Sequence, residues 1–468
     1  MTPCNIAWLR RDLRLQDNGA LAAVFEKPEP VQPVFIFDTD ILARFRNPAD
    51  RRLSFIADSL GALHQELKQR GGGLLALHGP AKDVMPQLAE TLSSNVIAAG
   101  EDYEPDGRSR DENVARASAP RALVLVKDNV ILSPLEVLRP DHAPYKVYTP
   151  YSRAWRDRQV SKKEVQFRYQ DNGRYAEFRE SAAKARSAGL RVLDMEAGPE
   201  RVLREIGYRH VSCGEWNAQG AQQKLQRFLE EKAQRYATTR DFLAEDGTSR
   251  ISPYLRFGIV SVRECYQGAK NVPGAEKWIG ELIWREFYAM ILYHYPESAS
   301  VEWNPAYRNR IEWSRNEKHL EAWMSGRTGY PVVDAAMRQL LEIGWMHNRA
   351  RMIVASFLTK HLLIDWRQGE EHFAQFLMDY DLASNVGGWQ WAASTGTDAQ
   401  PYFRVFNPYL QSKNFDPSGD YIRRYVPELR HLQGDDIHCP PALHAPDYPR
   451  PIVEHKSARE RAIAAFSK

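Results

Sequence analysis

Cysteine is scarce. Four are spread over 468 residues, at Cys4, Cys213, Cys265 and Cys439, and no CxxC pair or Cys/His ligand spacing occurs. That excludes a disulfide framework and a zinc site, so no metal is expected and a reducing cytoplasm is the expected compartment. Excess charge is also missing. A net charge of +3 means that any nucleic-acid surface must be a local patch. No apolar run is long enough to span a membrane. Arg10, Arg11 and Asp12 interrupt the first one, so no signal core is expected. There is no internal repeat and no GxGxxG after the first apolar run, which removes the dinucleotide fingerprint. No Ser/His/Asp or Cys/His nucleophile set stands out.

Tryptophan, by contrast, is plentiful, with 12 in the chain. The length calls for two or three domains. Residues 1–130 alternate short apolar runs with helical periodicity. The runs Ile6–Leu9, Val31–Phe37, Leu74–Leu77, Val96–Ala99 and Ala122–Val126 read as buried strands, and 51–70 and 81–92 as helices. This is the pattern of a doubly wound α/β domain with a parallel sheet. Gly71, Gly72 and Gly73 suit a helix-to-strand turn. Residues 131–205, punctuated by Pro134, Pro140, Pro144 and Pro150, read as a long interdomain linker. Residues 206–468 form an all-helical domain, with helical periodicity over 222–235, 275–295, 318–325, 331–343, 346–363 and 370–378.

Several clusters in that domain could carry chemistry. The run Asp379-Tyr380-Asp381-Leu382-Ala383-Ser384-Asn385-Val386-Gly387-Gly388-Trp389-Gln390-Trp391 does not have the pattern of an ordinary helix or strand. Its carboxylates, Asn and Trp suit a planar, polar-edged ligand, and its Gly pair permits close backbone approach. A surface loop anchored by buried Trp would have the same composition. Glu281, Trp284 and Arg285 share one helix face at i, i+3 and i+4, either as a substrate-binding set or as an ordinary ion pair beside a core Trp. Asn348 and Met352 share a face at i, i+4, and Arg351 is a neighbour of Asn348 at i, i+3. His347 has no visible partner and is expected to be structural. Residues 246–255 read as a turn into a helix, whose hydroxyls suit a phosphate or a plain cap. Upstream, Tyr236 and Arg240 share a helical face.

Longer motifs resemble one family. Trp-Arg-Glu-Phe-Tyr at 284–288, Thr-Gly-Tyr-Pro-Val-Val-Asp-Ala-Ala-Met-Arg at 328–338, Gly-Trp-Met-His-Asn-Arg at 344–349 and Gly-Gly-Trp-Gln-Trp-Ala-Ala-Ser-Thr-Gly-Thr-Asp at 387–398 are similar to photolyases and cryptochromes. Residues 8–18 and 144–151 share the similarity, which is strongest to class I cyclobutane pyrimidine dimer photolyases. The resemblance implies an all-α domain holding FAD. Tyr236, Thr248, Ser249, Arg250 and Ser252 match positions that hold its phosphates and ribityl chain, and Arg285, Asn348 and Arg351 match positions that line it. Asp379 and Asp381 match residues facing the flavin, with Arg351 paired to Asp379, and Asn385 matches the residue at flavin N5. Glu281 matches the carboxyl that hydrogen-bonds the dimer, and Trp284 and Trp391 match the indoles that pack on it. Arg240, Arg285, Arg349 and Arg404 match DNA-phosphate positions, and Met352 matches a position of the lesion pocket. Trp313, Trp366 and Trp389 match the indoles that pass electrons to the photoexcited flavin. Glu281, Asn348, Asn385 and these three Trp are the expected catalytic set.

The implied activity is light-dependent repair of UV-damaged DNA, in which a flipped-out dimer receives an electron from reduced FAD and returns it. The alternative is a cryptochrome-like signalling photoreceptor. Asn385 and the short stretch after Lys456 count against it. Asn348 and Met352 replace the two His of enzymes acting on (6-4) products. An antenna chromophore is expected to be methenyltetrahydrofolate, a deazaflavin or a second flavin, if one is carried. Asp106 and Gly107 stand where folate binders often have Asn-Glu. A monomer without membrane or obligate protein partner is expected.

Overall fold

A computed structural model of the chain describes residues 3–158 and 166–467. By contact it divides into two compact units. The first comprises Met1–Ala143, Ser152–Glu231 and Ser249–Tyr293, and the second Pro144–Tyr151, Lys232–Thr248 and His294–Lys468. Among the described residues no helix is long and apolar enough to cross a membrane.

The first unit is built on a six-stranded sheet of β1 (Asn5–Leu9), β2 (Val31–Asp38), β3 (Leu75–Gly79), β4 (Val96–Gly100), β5 (Ala122–Val126) and β6 (Val192–Leu193), in the order β5-β4-β1-β2-β3-β6. The first five are parallel. β6, which carried no strand pattern of its own, is a two-residue antiparallel edge on β3. Helices Gly19–Phe25, Arg51–Gln69, Ala81–Thr91 and Pro105–Ser118 alternate with the strands, the doubly wound arrangement expected of such a pattern.

β1 and β2 are buried on both faces, as apolar central strands require. β5 differs from its expected burial. Among the described residues it pairs only with β4, so Val124 and Leu125 stay 37% and 42% exposed. Pro33 sits in central β2 without breaking it. Pairing of β2 with β3 begins one residue later, at Val34. The buried Gln32 amide donates to the carbonyls of Pro33 and Gly73, at 2.9 Å each, across the gap.

Charges buried in this unit join its segments. Asp128 accepts from the Arg14 guanidinium at 2.7 and 2.9 Å, from Arg263 at 3.0 Å and from the Gly19 N–H at 2.9 Å. Arg263 also donates to both Asp17 oxygens at 3.1 Å and to the carbonyls of Asp17 and Asp128. Burial alone would raise the Asp128 pKa, but the two guanidinium groups outweigh it and hold the carboxyl below its usual range. The segment expected as a linker is pinned in the same way. The buried Glu286 carboxylate accepts the N–H groups of Ile131 and Leu132 and the Trp155 indole N–H, at 2.5, 3.2 and 2.6 Å.

The second unit is helical. Its core gathers Trp323, Trp366 and Trp389 with residues of the helices Pro331–Ile343, Asn348–Ser356, Trp366–Phe376 and Leu382–Ala393. Pro331 opens the first of these, and Gly344 closes it at φ 68, a left-handed cap that suits glycine. The periodicity expected through 346–363 is interrupted. His347 caps the helix through Nδ1, and at Phe357 the chain passes into a single π turn, Phe357–His361.

Arg263→Met should leave Asp17 and Asp128 buried beside a single guanidinium. A loss of about 3–5 kcal/mol is expected in urea unfolding, as for other broken buried pairs. A loss below about 1 kcal/mol would show that the network does not hold the unit together.

Candidate functional site

In the second unit the run around the paired Trp residues is a helix, which corrects the expectation that it is neither helix nor strand. Asp381 caps Leu382–Ala393 by accepting the Ser384 N–H at 3.0 Å, and Ser394 closes it at φ 65. Two glycines would weaken a helix by about 1 kcal/mol each. The cap and the burial of Val386, Trp389, Ala392 and Ala393 offset that cost. Gly388 is exposed, and a Cβ there would meet no protein atom. The required glycine is instead Gly369 on the neighbouring helix, where a Cβ would lie 2.1 Å from the Trp389 ring.

Asp379 is buried just before the cap. The Arg351 guanidinium donates to its two oxygens at 2.8 and 3.1 Å, and its Nε donates to the Met346 carbonyl at 2.9 Å. Asn385, one turn into the helix, donates through Nδ2 to the Glu370 carbonyl at 3.3 Å and to its Oε1 at 3.0 Å. The Tyr380 hydroxyl donates to the same Oε1 at 3.0 Å. Burial raises the Glu370 pKa, and these two hydrogen bonds oppose the rise. Both neighbours of Nδ2 are acceptors, so the amide orientation is determined. Asn385 Oδ1 is left as an acceptor that makes no hydrogen bond among the described residues. Sequence reading missed Glu370 and Tyr380. Their only signal is position, since Glu370 follows the buried Gly369 on an amphipathic helix.

Asn348 is exposed at the first position of its helix, and its amide faces the Met352 sulfur at 3.9 Å. Arg349 pairs with Asp241 at 2.9 Å and covers the Phe415 ring. Arg240 lies over the ring of the buried Tyr236, and Gly247, preceding Thr248, packs tightly on Thr239. Arg404 is exposed. Trp391 is half-buried against the core. Trp366 and Trp389 are buried, and their indole N–H groups meet no acceptor among the described residues. Trp389 stands edge-on to Phe373 and to Trp323, at 5.0 and 5.9 Å. Trp313 is half-buried and edge-on to Phe466 at 6.0 Å.

In the first unit, Glu281, Trp284 and Arg285 lie half-buried on the helix Glu276–His294. Trp284 packs on Tyr288 and Phe287, and Arg285 donates to the Asn129 carbonyl. Ser249 Oγ accepts the Trp278 indole N–H at 3.3 Å. Arg250, at φ 50, pairs with Glu215 at 3.2 Å. Ser252 opens the short helix Ser252–Arg256, which has no side-chain cap. Asp106 pairs with Arg44 at the surface, and Gly107 packs on Asp102 so tightly that a Cβ would meet it at 2.5 Å.

Residues 5–167 match the family described as DNA photolyase, and residues 278–468 match the FAD binding domain of DNA photolyase. The chain is 39% identical over 492 residues to a deoxyribodipyrimidine photo-lyase of Halobacterium salinarum, covering 98% of each. It is similar to the solved structure of a bacterial class III photolyase from Agrobacterium tumefaciens, with a TM-score of 0.82 and 34% identity over 100% of this chain and 97% of that one. It is also similar to a Synechocystis cryptochrome, with a TM-score of 0.85 and 27% identity over 99% of each chain.

Glu370→Leu should remove the carboxylate acceptor of the Tyr380 hydroxyl and leave the Asn385 amide with the main-chain carbonyl of residue 370. A loss of about 1–3 kcal/mol in urea unfolding is expected. Glu370→Gln, which keeps one acceptor, should recover most of it. Equal losses in the two variants would mean that the carboxyl oxygens do not hold Asn385.

Proposed function

We infer the function from one premise: the chain belongs to the DNA photolyase family. It is a deoxyribodipyrimidine photo-lyase, an FAD enzyme that repairs pyrimidine dimers in DNA with light. The observation that carries this reading is Asn385, held by Glu370 with its carbonyl oxygen unused. A signalling photoreceptor is disfavoured, although a cryptochrome is among the structural neighbours.

The residues fit the cofactor. An amide acceptor suits a ring N–H such as reduced flavin carries, and the Arg351–Asp379 pair offers charge and further donors. When bound, FAD supplies a light-excited one-electron donor that is restored at the end of each cycle. In the second unit, Tyr236, Thr248, Arg351, Asp379, Asp381 and Asn385 would hold it, with Asn348 at its lesion side. Trp313, Trp366 and Trp389 would relay electrons inward, supported by their shared aromatic core. Trp391 and Met352 would pack on the lesion, and Arg240, Arg349 and Arg404 would take DNA phosphates. In the first unit, Ser249, Arg250 and Ser252 would bind phosphate and ribityl groups. Glu281 would hydrogen-bond the dimer, Trp284 would stack on it, and Arg285 would sit near the backbone.

Each residue has a definable task. The arginines neutralise the strand and make binding depend on salt. The aromatic side chains receive a flipped lesion, whose extrusion costs a few kcal/mol and least where stacking is already damaged. Glu281 stabilises the negative charge that develops on the dimer.

The reading also keeps an α/β domain over 1–130, a linker over 131–205 and a FAD-binding domain over 206–468. It takes the enzyme as a monomer without an obligate partner and as cytoplasmic, the last supported by four free cysteines.

Light-dependent repair of a thymine-dimer oligonucleotide tests the whole reading; binding without repair would sink it. Glu281→Ala should retain FAD and lose roughly tenfold or more in repair, the scale of a charged hydrogen bond. Unchanged repair at saturating DNA would remove Glu281 from the reaction. Trp313→Phe should block photoreduction of oxidised FAD while sparing repair by chemically reduced enzyme. Photoreduction at the normal rate would show that Trp313 is not in the relay.

A further inference from the structure

Lys360 is completely buried on the π turn Phe357–His361. Its Nζ donates to the carbonyl of Ala393, the last residue of the helix Leu382–Ala393, at 3.2 Å. The same nitrogen stands 3.2 Å from the centroid of the Phe466 ring. No carboxylate pairs with it among the described residues. Three N–H groups thus share one acceptor and one ring face, and an ammonium there loses far more hydration than it regains. Burial alone pulls its pKa down to about 6. Unpaired buried amines and single π turns are both concentrated at functional positions.

Phe466 links this amine to the indole relay. Its ring also meets Trp313, edge to face at 6.0 Å, and Tyr307, tilted at 6.0 Å. The elements packed on the π turn bring no competing charge to Nζ. Helix Leu382–Ala393 has no titratable side chain. On Asn348–Ser356, Arg349 and Arg351 are paired with Asp241 and Asp379. On Trp366–Phe376, Arg367 is paired with Glu302 and Asp365, Glu370 binds Asn385 and Tyr380, and Glu371 is exposed. His372 is held neutral by burial, with its pKa down to about 4. On His455–Ser467, His455 meets His361 at 2.9 Å, Arg461 donates to the His361 carbonyl, and Lys456, Arg459 and Glu460 are exposed. Burial keeps His361 neutral, at about 3.

We infer that Lys360 is a positioning residue of the indole relay: it ties the end of the Leu382–Ala393 helix to Phe466, and through that ring it sets the placement of Trp313 and the charge that an oxidised Trp313 faces. The inference rests on the relay reading. An indole that has given up one electron is a cation. Lys360 exchanges nothing with it; only the proton on Nζ, taken from or returned to solvent, changes. A neutral amine tolerates the cation and an ammonium repels it.

The test uses FAD-loaded enzyme and follows flavin photoreduction from well above to well below pH 6. In the unaltered enzyme the rate should fall roughly tenfold as the amine is charged, the scale of one unit charge a ring away. Lys360→Met should flatten that profile, and Lys360→Arg, charged throughout, should be slow at every pH. Independently of photochemistry, the ¹³C resonance of one lysine ε-carbon should titrate near pH 6 and be missing from Lys360→Met. Identical pH profiles in Lys360→Met and the unaltered enzyme, or no lysine titrating near pH 6, would overturn the inference. If Lys360→Met does not fold, the unaltered enzyme's titration and the Lys360→Arg profile decide by the same criteria. Trp313→Phe separates the two levels. Normal photoreduction in that variant defeats the relay itself; a block there, with an unaltered profile in Lys360→Met, defeats only the role of Lys360.

Discussion

The first unit depends on one buried carboxylate. Asp128 follows the edge strand β5, Arg14 follows β1, and Arg263 lies in the helix Val262–Ala269. These three segments are far apart in the chain, and each carries a charge that water no longer solvates. A misplaced apolar side chain loses a little burial. A misplaced Asp128 would leave its own buried carboxylate unpaired and take from Arg14 the carboxylate it pairs with, while Arg263 would keep Asp17 alone, at a cost of several kcal/mol. Hydrophobic burial explains why the unit is compact. The network explains why one arrangement of these segments is selected.

The second unit applies the same constraint on a smaller scale. Asp379 is compensated by Arg351, and Asn385 and Tyr380 share Glu370. Some buried groups stay without a hydrogen-bond partner among the described residues, the indole N–H groups of Trp366 and Trp389 among them, and Lys360 has one carbonyl and no carboxylate. Buried polar groups are normally satisfied. Trp366 and Trp389 are such exceptions, beside others elsewhere in the chain, and they are the residues proposed for the electron relay.

Much of this was legible in the sequence, because period-2 and period-3.6 patterns survive wherever one element faces one environment. The strand Ala122–Val126 and the helix Pro331–Ile343 have the bounds expected of them. The strand's exposure was not legible, since an edge and a centre differ by a neighbour and not by composition. The Leu382–Ala393 helix was hidden because its glycines and mixed polar residues mask its period, while its stability comes from Asp381 at the cap and a core supplied by other helices. The named motifs carried most of the residues proposed for the site. Glu370, Gly369 and Trp323 belong to the layer behind them and have meaning only through a neighbour in space.

The helix Glu276–His294 shows why that layer matters for function. Its sequence is apolar nearly all round, so burial alone leaves its rotation weakly determined. One residue of rotation, about 100°, would carry Glu286 out of the core and turn the face bearing Glu281 and Trp284 away. Two adjacent side chains oppose it. Glu286 is held by three donors from the 131–155 segment, and Arg285 by the Asn129 carbonyl. Removing the Glu286 carboxylate from those donors would leave buried N–H groups unpaired, a larger cost than any apolar contact the helix could regain. The segment that looked like a connection between domains is thus the part that fixes the rotation of the helix, and with it the direction in which Glu281 is presented.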